Sequence, residues 1–130
     1  MGQPAAKMGD SVTATDIHIV LVPSPGGPVA TPTPLPFDGK IASECSETVL
    51  INDRPAAVVG SIAVNEPPHI PPAGTFQVPP TNQGTIVSGS ETVLIDGVPA
   101  ARNGDTVQTS NDPAPLPNGT VVAVSTVLIG

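Results

Sequence analysis

The feature that most constrains this chain is an internal repeat. Residues 41–61 read IASECSETVLINDRPAAVVGS, and residues 85–105 read TIVSGSETVLIDGVPAARNGD. The two segments align without a gap at an offset of 44 residues. Both carry Ser-Glu-Thr-Val-Leu-Ile, then a two-residue turn signal, then Pro-Ala-Ala and a glycine. Self-similarity of this length indicates that the chain is built from copies of one small structural unit.

Two fragments at the ends of the chain complete a third unit. The start, QPAAKMGDSV, matches only the second half of the repeat, and the end, TVVAVSTVLIG, matches only the first half. Half a unit at each end makes one whole unit if the two ends meet. The sequence therefore predicts three units in a ring, with the seam inside one of them, which is the arrangement of an object with pseudo-threefold symmetry.

Each unit is predicted to form a β-hairpin. The apolar and β-branched run Thr-Val-Leu-Ile is typical of a short strand. Asn52-Asp53 and Asp96-Gly97 follow it, and these residue types tolerate the positive φ of a tight turn. The return strand begins at a proline and carries two alanines, whose small side chains indicate close approach of neighbouring backbones near an axis. One hairpin cannot bury its apolar face, whereas three packed around one axis can.

Long inserts separate the repeat units. They run from about 13 to 39, 65 to 84 and 109 to 119, and they hold fifteen of the 18 prolines. Because proline fixes φ and removes a backbone donor, the inserts are predicted to be stiff and extended, and no helix is expected. The prediction for residues 1–130 is thus one all-β domain, small and conical, with three pseudo-threefold β-hairpin repeats and Pro-rich inserts forming its tip.

Composition excludes some classes of function. The net charge is −7, and the four Lys and Arg residues are scattered singly, which argues against nucleic acid as a partner. No apolar run is long enough to span a bilayer. The start lacks the pattern of a signal peptide, so synthesis in the cytoplasm is expected. A single cysteine excludes an intrachain disulfide.

The repeat carries a resemblance to a known family. Pro-Ala-Ala followed by Lys, Val or Arg and then by a glycine occurs three times, and Pro99-Ala100-Ala101-Arg102 spells the motif in full. On these residues the chain resembles the PAAR-repeat family over essentially its whole length. The inserts DIHIVLVPSPGGP and NEPPHIPPAGTFQVPPTNQGTI resemble a branch of that family that is found with extracellular injection systems and related phage-like particles.

The resemblance implies a structural role and no enzymatic activity. Such proteins sit as cones on the blunt end of a trimeric spike, one tip per trimer, and sheath contraction drives the tip through a target envelope. The protein is then expected to be a component of the injection particle. On contraction it would touch the target membrane transiently and be released or delivered to the target cell.

The hairpin edges are the predicted binding site for the spike. Three hairpin units match a threefold partner, and an exposed strand edge can continue the strands of another chain with little demand on sequence. The predicted contact residues are the three copies of one segment: Thr48, Val49, Leu50 and Ile51; Thr92, Val93, Leu94 and Ile95; Thr126, Val127, Leu128 and Ile129.

The resemblance also implies a metal ion near the tip, held in the family by three histidines and one cysteine. This chain offers His18 and His69, one in each of the first two inserts, so one zinc or iron ion with an incomplete ligand set is expected. Leu35 and Ser110 stand where the related pattern has the remaining histidine and cysteine. Cys45 is no substitute, because it lies in the repeat framework and not in an insert.

Two alternatives stay open for the tip. The two histidines could bind a metal that is completed by water, by Asp112 or by a partner. They could instead be hydrogen-bonded packing residues, with the tip stiffened by its prolines alone. Structural zinc almost always takes four ligands, so the sequence does not decide between these alternatives.

Other classes of function compete with the spike tip. Glu44 and Glu47 are not spaced to aim at one substrate atom, and Cys45 has no histidine beside it in the sequence, so neither pattern is typical of an enzyme. A metal-dependent hydrolase would need an open coordination position and a general base. The alternative function is an adaptor that attaches effector cargo to the spike, and a free β-rich oligomerisation module is a further one.

Overall fold

The computed structural model describes residues 2–130, and within them all regular structure is β-strand. The smallest sheets are three antiparallel pairs, each of two-residue strands. β4 (Leu50–Ile51) pairs with β5 (Arg54–Pro55), and β9 (Leu94–Ile95) pairs with β10 (Val98–Pro99). β1 (Gln3–Pro4) pairs with β13 (Leu128–Ile129), so the first and last strands form the third hairpin. The predicted three-unit ring with an internal seam is confirmed.

The hairpin turns follow from their residues. Asn52 and Asp53 have φ of 46° and 68°, and Asp96 and Gly97 have φ of 53° and 78°. Two consecutive positive φ values match the right-handed twist of the flanking strands, which is why Asn, Asp and Gly are preferred at these positions.

Backbone hydrogen bonds close the three units into a ring. The N–H of Ala6 donates to the carbonyl of Ala101, that of Ala101 to Ala57, and that of Ala57 to Ala6, each at 3.0 Å. These residues are the second alanines of the three Pro-Ala-Ala motifs. The identical distances show that the pseudo-threefold axis passes through this ring.

The inserts build a larger, closed sheet. Its strands are β2 (Ser11–Val22), β3 (Val29–Ser43), β6 (Ile62–Asn65), β8 (Gln83–Ile86), β11 (Thr106–Thr109) and β12 (Leu116–Val122). They follow the order β12-β11-β8-β6-β3-β2, and β12 also pairs with β2, which closes the sheet. A short strand β7 (Thr75–Phe76) pairs with β2 at Val20 and Leu21.

The first insert is one long hairpin that extends beyond the closed sheet. β2 and β3 pair from Ser11 with Lys40 as far as Val22 with Val29. Prolines 32, 34 and 36 lie in β3 at every second position, where β6 does not pair with the strand. Because of this spacing, the missing N–H donors of all three prolines face the unpaired edge of β3, so the prolines remove no hydrogen bond from the sheet. The predicted stiff, extended insert is therefore a two-stranded projection.

Two apolar clusters form the core, one on each side of the alanine ring. The first alanines of the motifs, Ala5, Ala56 and Ala100, pack with Ile51, Ile95 and Ile129 inside the hairpins. The second alanines pack with a cluster inside the closed sheet that includes Phe37, Ile41, Ile86, Val107 and Val121. Since neighbouring residues of an extended chain point to opposite faces, each Ala-Ala pair joins the two clusters.

In the structure, the repeat unit that begins at Ile41 has one residue more than the unit that begins at Ile86. The N–H of Ile41 and that of Ile86 donate to the same repeat position, the residue after the glycine, at 2.9 and 3.0 Å. Ile41 therefore corresponds to Ile86, an offset of 45, while the Pro-Ala-Ala motifs keep the offset of 44. The pairing of β3 with β6 shifts between Ile41 and Ser43, so a β-bulge holds the extra residue.

Within residues 2–130 the structure has no helix long and apolar enough to cross a membrane.

Candidate functional site

Three exposed leucines stand on the hairpins, one in each unit. Leu50, Leu94 and Leu128 are 61, 62 and 65% exposed. The isoleucine after each leucine is buried, because side chains alternate across a strand. The near-equal exposure of the leucines follows from the pseudo-threefold repeat, and it gives one face of the molecule three matching apolar side chains, here called the leucine triad.

The other residues predicted to bind the spike are largely engaged within the chain. The hydroxyl of Ser46 accepts the N–H groups of Thr48 and Val49 at 3.1 and 2.9 Å, and Ser90 does the same in the next unit. This local bonding shortens the predicted four-residue strand to the two residues Leu-Ile. Val49 and Val93 pack against the hairpin cluster.

Neighbouring units are joined by polar contacts at the turns. Thr48 donates its hydroxyl to Asp96 at 2.5 Å, and Asn52 donates its side-chain N–H to the hydroxyl of Thr126 at 2.9 Å. The hydroxyls of Ser46 and Thr48 lower the pKa of Asp96, because hydrogen bonds favour the charged carboxylate. These threonines therefore stabilise the ring, and the leucine is the most exposed apolar residue of each predicted segment.

A second cluster gathers in the projecting part of the closed sheet. The structure brings His18 of β2 and His69 of the second insert together, with ring centroids 5.4 Å apart. Asp16 joins them, and one ligand atom from each of the three side chains lies within 4.8 Å of the others. Asp16 was not predicted from the sequence. The signal for it was its spacing of two from His18, which places both side chains on one face of a strand.

Hydrogen bonds orient two members of this cluster. Asp16 is fully buried and accepts bonds from the hydroxyl of Thr109 at 2.5 Å and from Nε2 of His69 at 2.8 Å. Nδ1 of His69 lies 3.3 Å from the side-chain amide of Asn65. The carboxylate and the imidazole of His69 are thus held in place by residues of three different strands and an insert.

His18 differs from His69, because no residue among 2–130 forms a hydrogen bond with its ring nitrogens. It is 1% exposed, and neither Nδ1 nor Nε2 has a hydrogen-bond partner. Burial is the main cause that lowers its pKa, and the neighbouring His69 lowers it further, so the neutral ring is favoured. A buried neutral imidazole with a free lone pair is the form of histidine that binds metal ions.

The positions at which family ligands are missing border the same cluster. Leu35 is the register partner of Asp16 in the β2–β3 hairpin, and Ser110 directly precedes Asn111, whose side chain accepts the N–H of Ile17 next to His18. Cys45 packs instead against the apolar cluster of the closed sheet, where burial raises the pKa of its thiol. The nitrogen and oxygen donors present at the tip fit a divalent metal ion, and they do so without the cysteine.

Fold and sites together define a class: an all-β protein with internal threefold symmetry, one face with three apolar side chains and a polar cluster in its projecting part. A family model described as "PAAR motif" matches residues 21–108 and 76–130. The chain belongs to the PAAR-motif family, which implies a spike-tip role in contractile injection or type VI systems and a structural rather than enzymatic protein. None of the curated proteins compared with the chain matches it.

Proposed function

We propose that this protein caps the trimeric spike of a contractile injection system, one copy per trimer, and sharpens it for piercing a target envelope. The observation that carries the proposal is the leucine triad. Three side chains of equal exposure around a pseudo-threefold axis match the end of a trimer, where each leucine would meet an equivalent surface of one spike chain. A single copy therefore fits three chains without breaking their symmetry.

The energetic argument is burial of apolar surface. Moving a leucine side chain from full exposure to full burial contributes about 1.5–3 kcal/mol. The leucines are anchors on a rigid ring, so little conformational freedom is lost when they are covered. The part of the β2–β3 hairpin that extends beyond the closed sheet would then lie at the end away from the spike. Its prolines would stiffen it for transient contact with the target membrane.

The test replaces the leucine triad. A Leu50→Asp/Leu94→Asp/Leu128→Asp variant should bind the trimeric spike of the same particle at least about 100-fold more weakly, because three charges would have to be buried. The measurement is titration of the purified spike, with mass from light scattering giving one copy of this protein per trimer for the unchanged chain.

A matched control carries three charges on the inserts. Val29→Asp/Ile70→Asp/Val78→Asp alters side chains that are 52, 74 and 52% exposed, and it should bind the spike normally. Circular dichroism establishes that both variants fold. A folded leucine variant that binds the spike as tightly as the unchanged protein would contradict the proposal.

We also propose that one divalent metal ion, zinc or iron, is bound by His18 and His69. The unpartnered nitrogens of His18 and the closeness of His69 support this. Elemental analysis of the purified protein should find close to one equivalent of metal, and His18→Ala/His69→Ala should lose it. Metal-free protein after purification and after incubation with zinc would contradict this part of the proposal and leave the spike-binding part intact.

A further inference from the structure

Asp112 has a buried side-chain oxygen with no hydrogen-bond partner among residues 2–130. The residue is 7% exposed, and its Oδ2 makes no hydrogen bond. A buried carboxylate oxygen in this condition is costly unless a cation, a donor or a water meets it. Asp112 and His18 are the only residues with such unpartnered side-chain atoms among residues 2–130, and both belong to the projecting part of the molecule.

Two backbone contacts fix Asp112 beside β2. Its N–H donates to the carbonyl of Ile17 at 2.8 Å, and the side-chain oxygen of the preceding Asn111 accepts the N–H of Ile17 at 2.6 Å. This clamp holds Asp112 against the residue before His18.

Within residues 2–130 no lysine or arginine forms an ion pair with the buried acids of this region. Asp16 and Asp112 are both buried acids. Three of the four basic side chains bond elsewhere: Lys7 with Asp10, Lys40 with Ser11 and Arg102 with Asp105. A buried charge needs a counter-charge, and two carboxylates with a divalent cation and neutral imidazoles form a neutral site.

We infer that Asp16 and Asp112 are ligands of the metal ion at the tip, so that two imidazoles and two carboxylates hold it and no thiolate takes part. The inference rests on the metal site proposed above and extends it to two residues. Tetrahedral zinc has bonds of about 2.0–2.2 Å, so its ligand atoms lie ~3.3 Å apart. Ligand atoms of Asp16, His18 and His69 lie within 4.8 Å of one another, and Asp112 is outside this group, so its carboxylate has to turn towards the other three for the site to form.

Thr109 and Asn65 are the supporting residues of such a site. Thr109 donates its hydroxyl to one oxygen of Asp16 and holds that oxygen in place. The other oxygen, which bonds to His69 in this structure, would turn to the metal. If Asp16 and His69 both bind the metal, the proton that Nε2 of His69 shares with Asp16 has to move to Nδ1, beside the side-chain amide of Asn65, so that the imidazole stays neutral. Nitrogen and oxygen donors of this kind suit zinc or ferrous iron.

The experiment uses the full chain after treatment with a chelator, titrated calorimetrically with zinc chloride. The unchanged protein should bind one equivalent and melt at a higher temperature with zinc than without. Asp112→Asn, which keeps the size of the side chain, should weaken zinc binding at least about ten-fold. Asp38→Asn, at an exposed aspartate on β3, and Cys45→Ser should leave zinc affinity unchanged.

Cobalt gives an independent readout of the donor atoms. The cobalt-loaded protein should lack the near-ultraviolet charge-transfer band of a cobalt–thiolate bond. Equal zinc affinity of Asp112→Asn and the unchanged protein, with binding lost in His18→Ala/His69→Ala, would overturn the assignment of Asp112 as a ligand while the two-histidine site survived, with water in place of that carboxylate. Absence of zinc binding by the unchanged protein would overturn both.

Discussion

An Ala101→Leu substitution is expected to lower the free energy of unfolding by about 3 kcal/mol or more, because it inserts three carbon atoms where three chain segments meet. Ala101 is fully buried, and its backbone belongs to the ring of hydrogen bonds with Ala6 and Ala57. The ring closes at 3.0 Å on every side, so one unit cannot move outward without breaking contact with both neighbours.

Thermal unfolding followed by circular dichroism measures this effect. For a chain of this length a loss of 3 kcal/mol corresponds to a fall in melting temperature of roughly 10 °C. The matched control is Ala114→Leu, at an exposed alanine of the third insert, which should melt within about 2 °C of the unchanged protein. Equal melting temperatures for the two variants would mean that the axis is not the tightly packed centre of the fold.

The ring could be predicted because the residues that form each hairpin are close together in the sequence and occur in every unit. Pro-Ala-Ala, a turn of Asn, Asp or Gly, and Thr-Val-Leu-Ile occur in the same order in each unit, and each element has a direct physical interpretation. The half units at the chain ends predicted the pairing of β1 with β13. The serines that shorten two of the strands are repeated as well, as Ser46 and Ser90, but their bonds were not predicted because they depend on a hydroxyl that faces two N–H groups.

The closed sheet could not be predicted from the sequence in the same way. Proline density indicated stiff inserts, but strand pairing between inserts depends on contacts between residues far apart in the chain. The pairing of β12 with β2 joins Thr120 to Thr13, for example. The bulge near Ile41 was also hidden, because a gapless alignment is the simplest one while the structure adds a residue.

The tip was predicted in part. His18 and His69 stand out as the only histidines, and their place in two inserts predicted that they could converge, as they do. Asp16 was missed because carboxylates are common on strands and nothing local separates a ligand from a solvated charge. Its burial and its bonds to Thr109 and His69 are properties of the assembled sheet.

A Gly84→Val substitution is expected to destabilise the closed sheet by about 2–3 kcal/mol, because strand β8 passes too close to β11 for any side chain. A Cβ on Gly84 would lie 2.8 Å from Cγ1 of Val107 and 3.2 Å from Cγ2 of Thr109. Val107 is fully buried and branched at Cβ, so it has no free rotamer to move into. Gly119 on β12 approaches Val107 equally closely, since a Cβ added there would lie 3.0 Å from Cβ of Val107.

The same geometry provides a compensating variant. Val107→Ala removes Cγ1 of Val107, the atom nearest to a side chain at position 84, and leaves a cavity in the sheet. The Gly84→Val/Val107→Ala double variant should therefore be more stable than the sum of the single effects predicts, by at least about 1 kcal/mol in a double-mutant cycle measured by urea unfolding. Gly26→Ala, in open space at the β2–β3 turn, is the control for adding a side chain to a glycine and should be close to neutral. Strict additivity of the two core substitutions would show that the cost at Gly84 does not come from its contact with Val107.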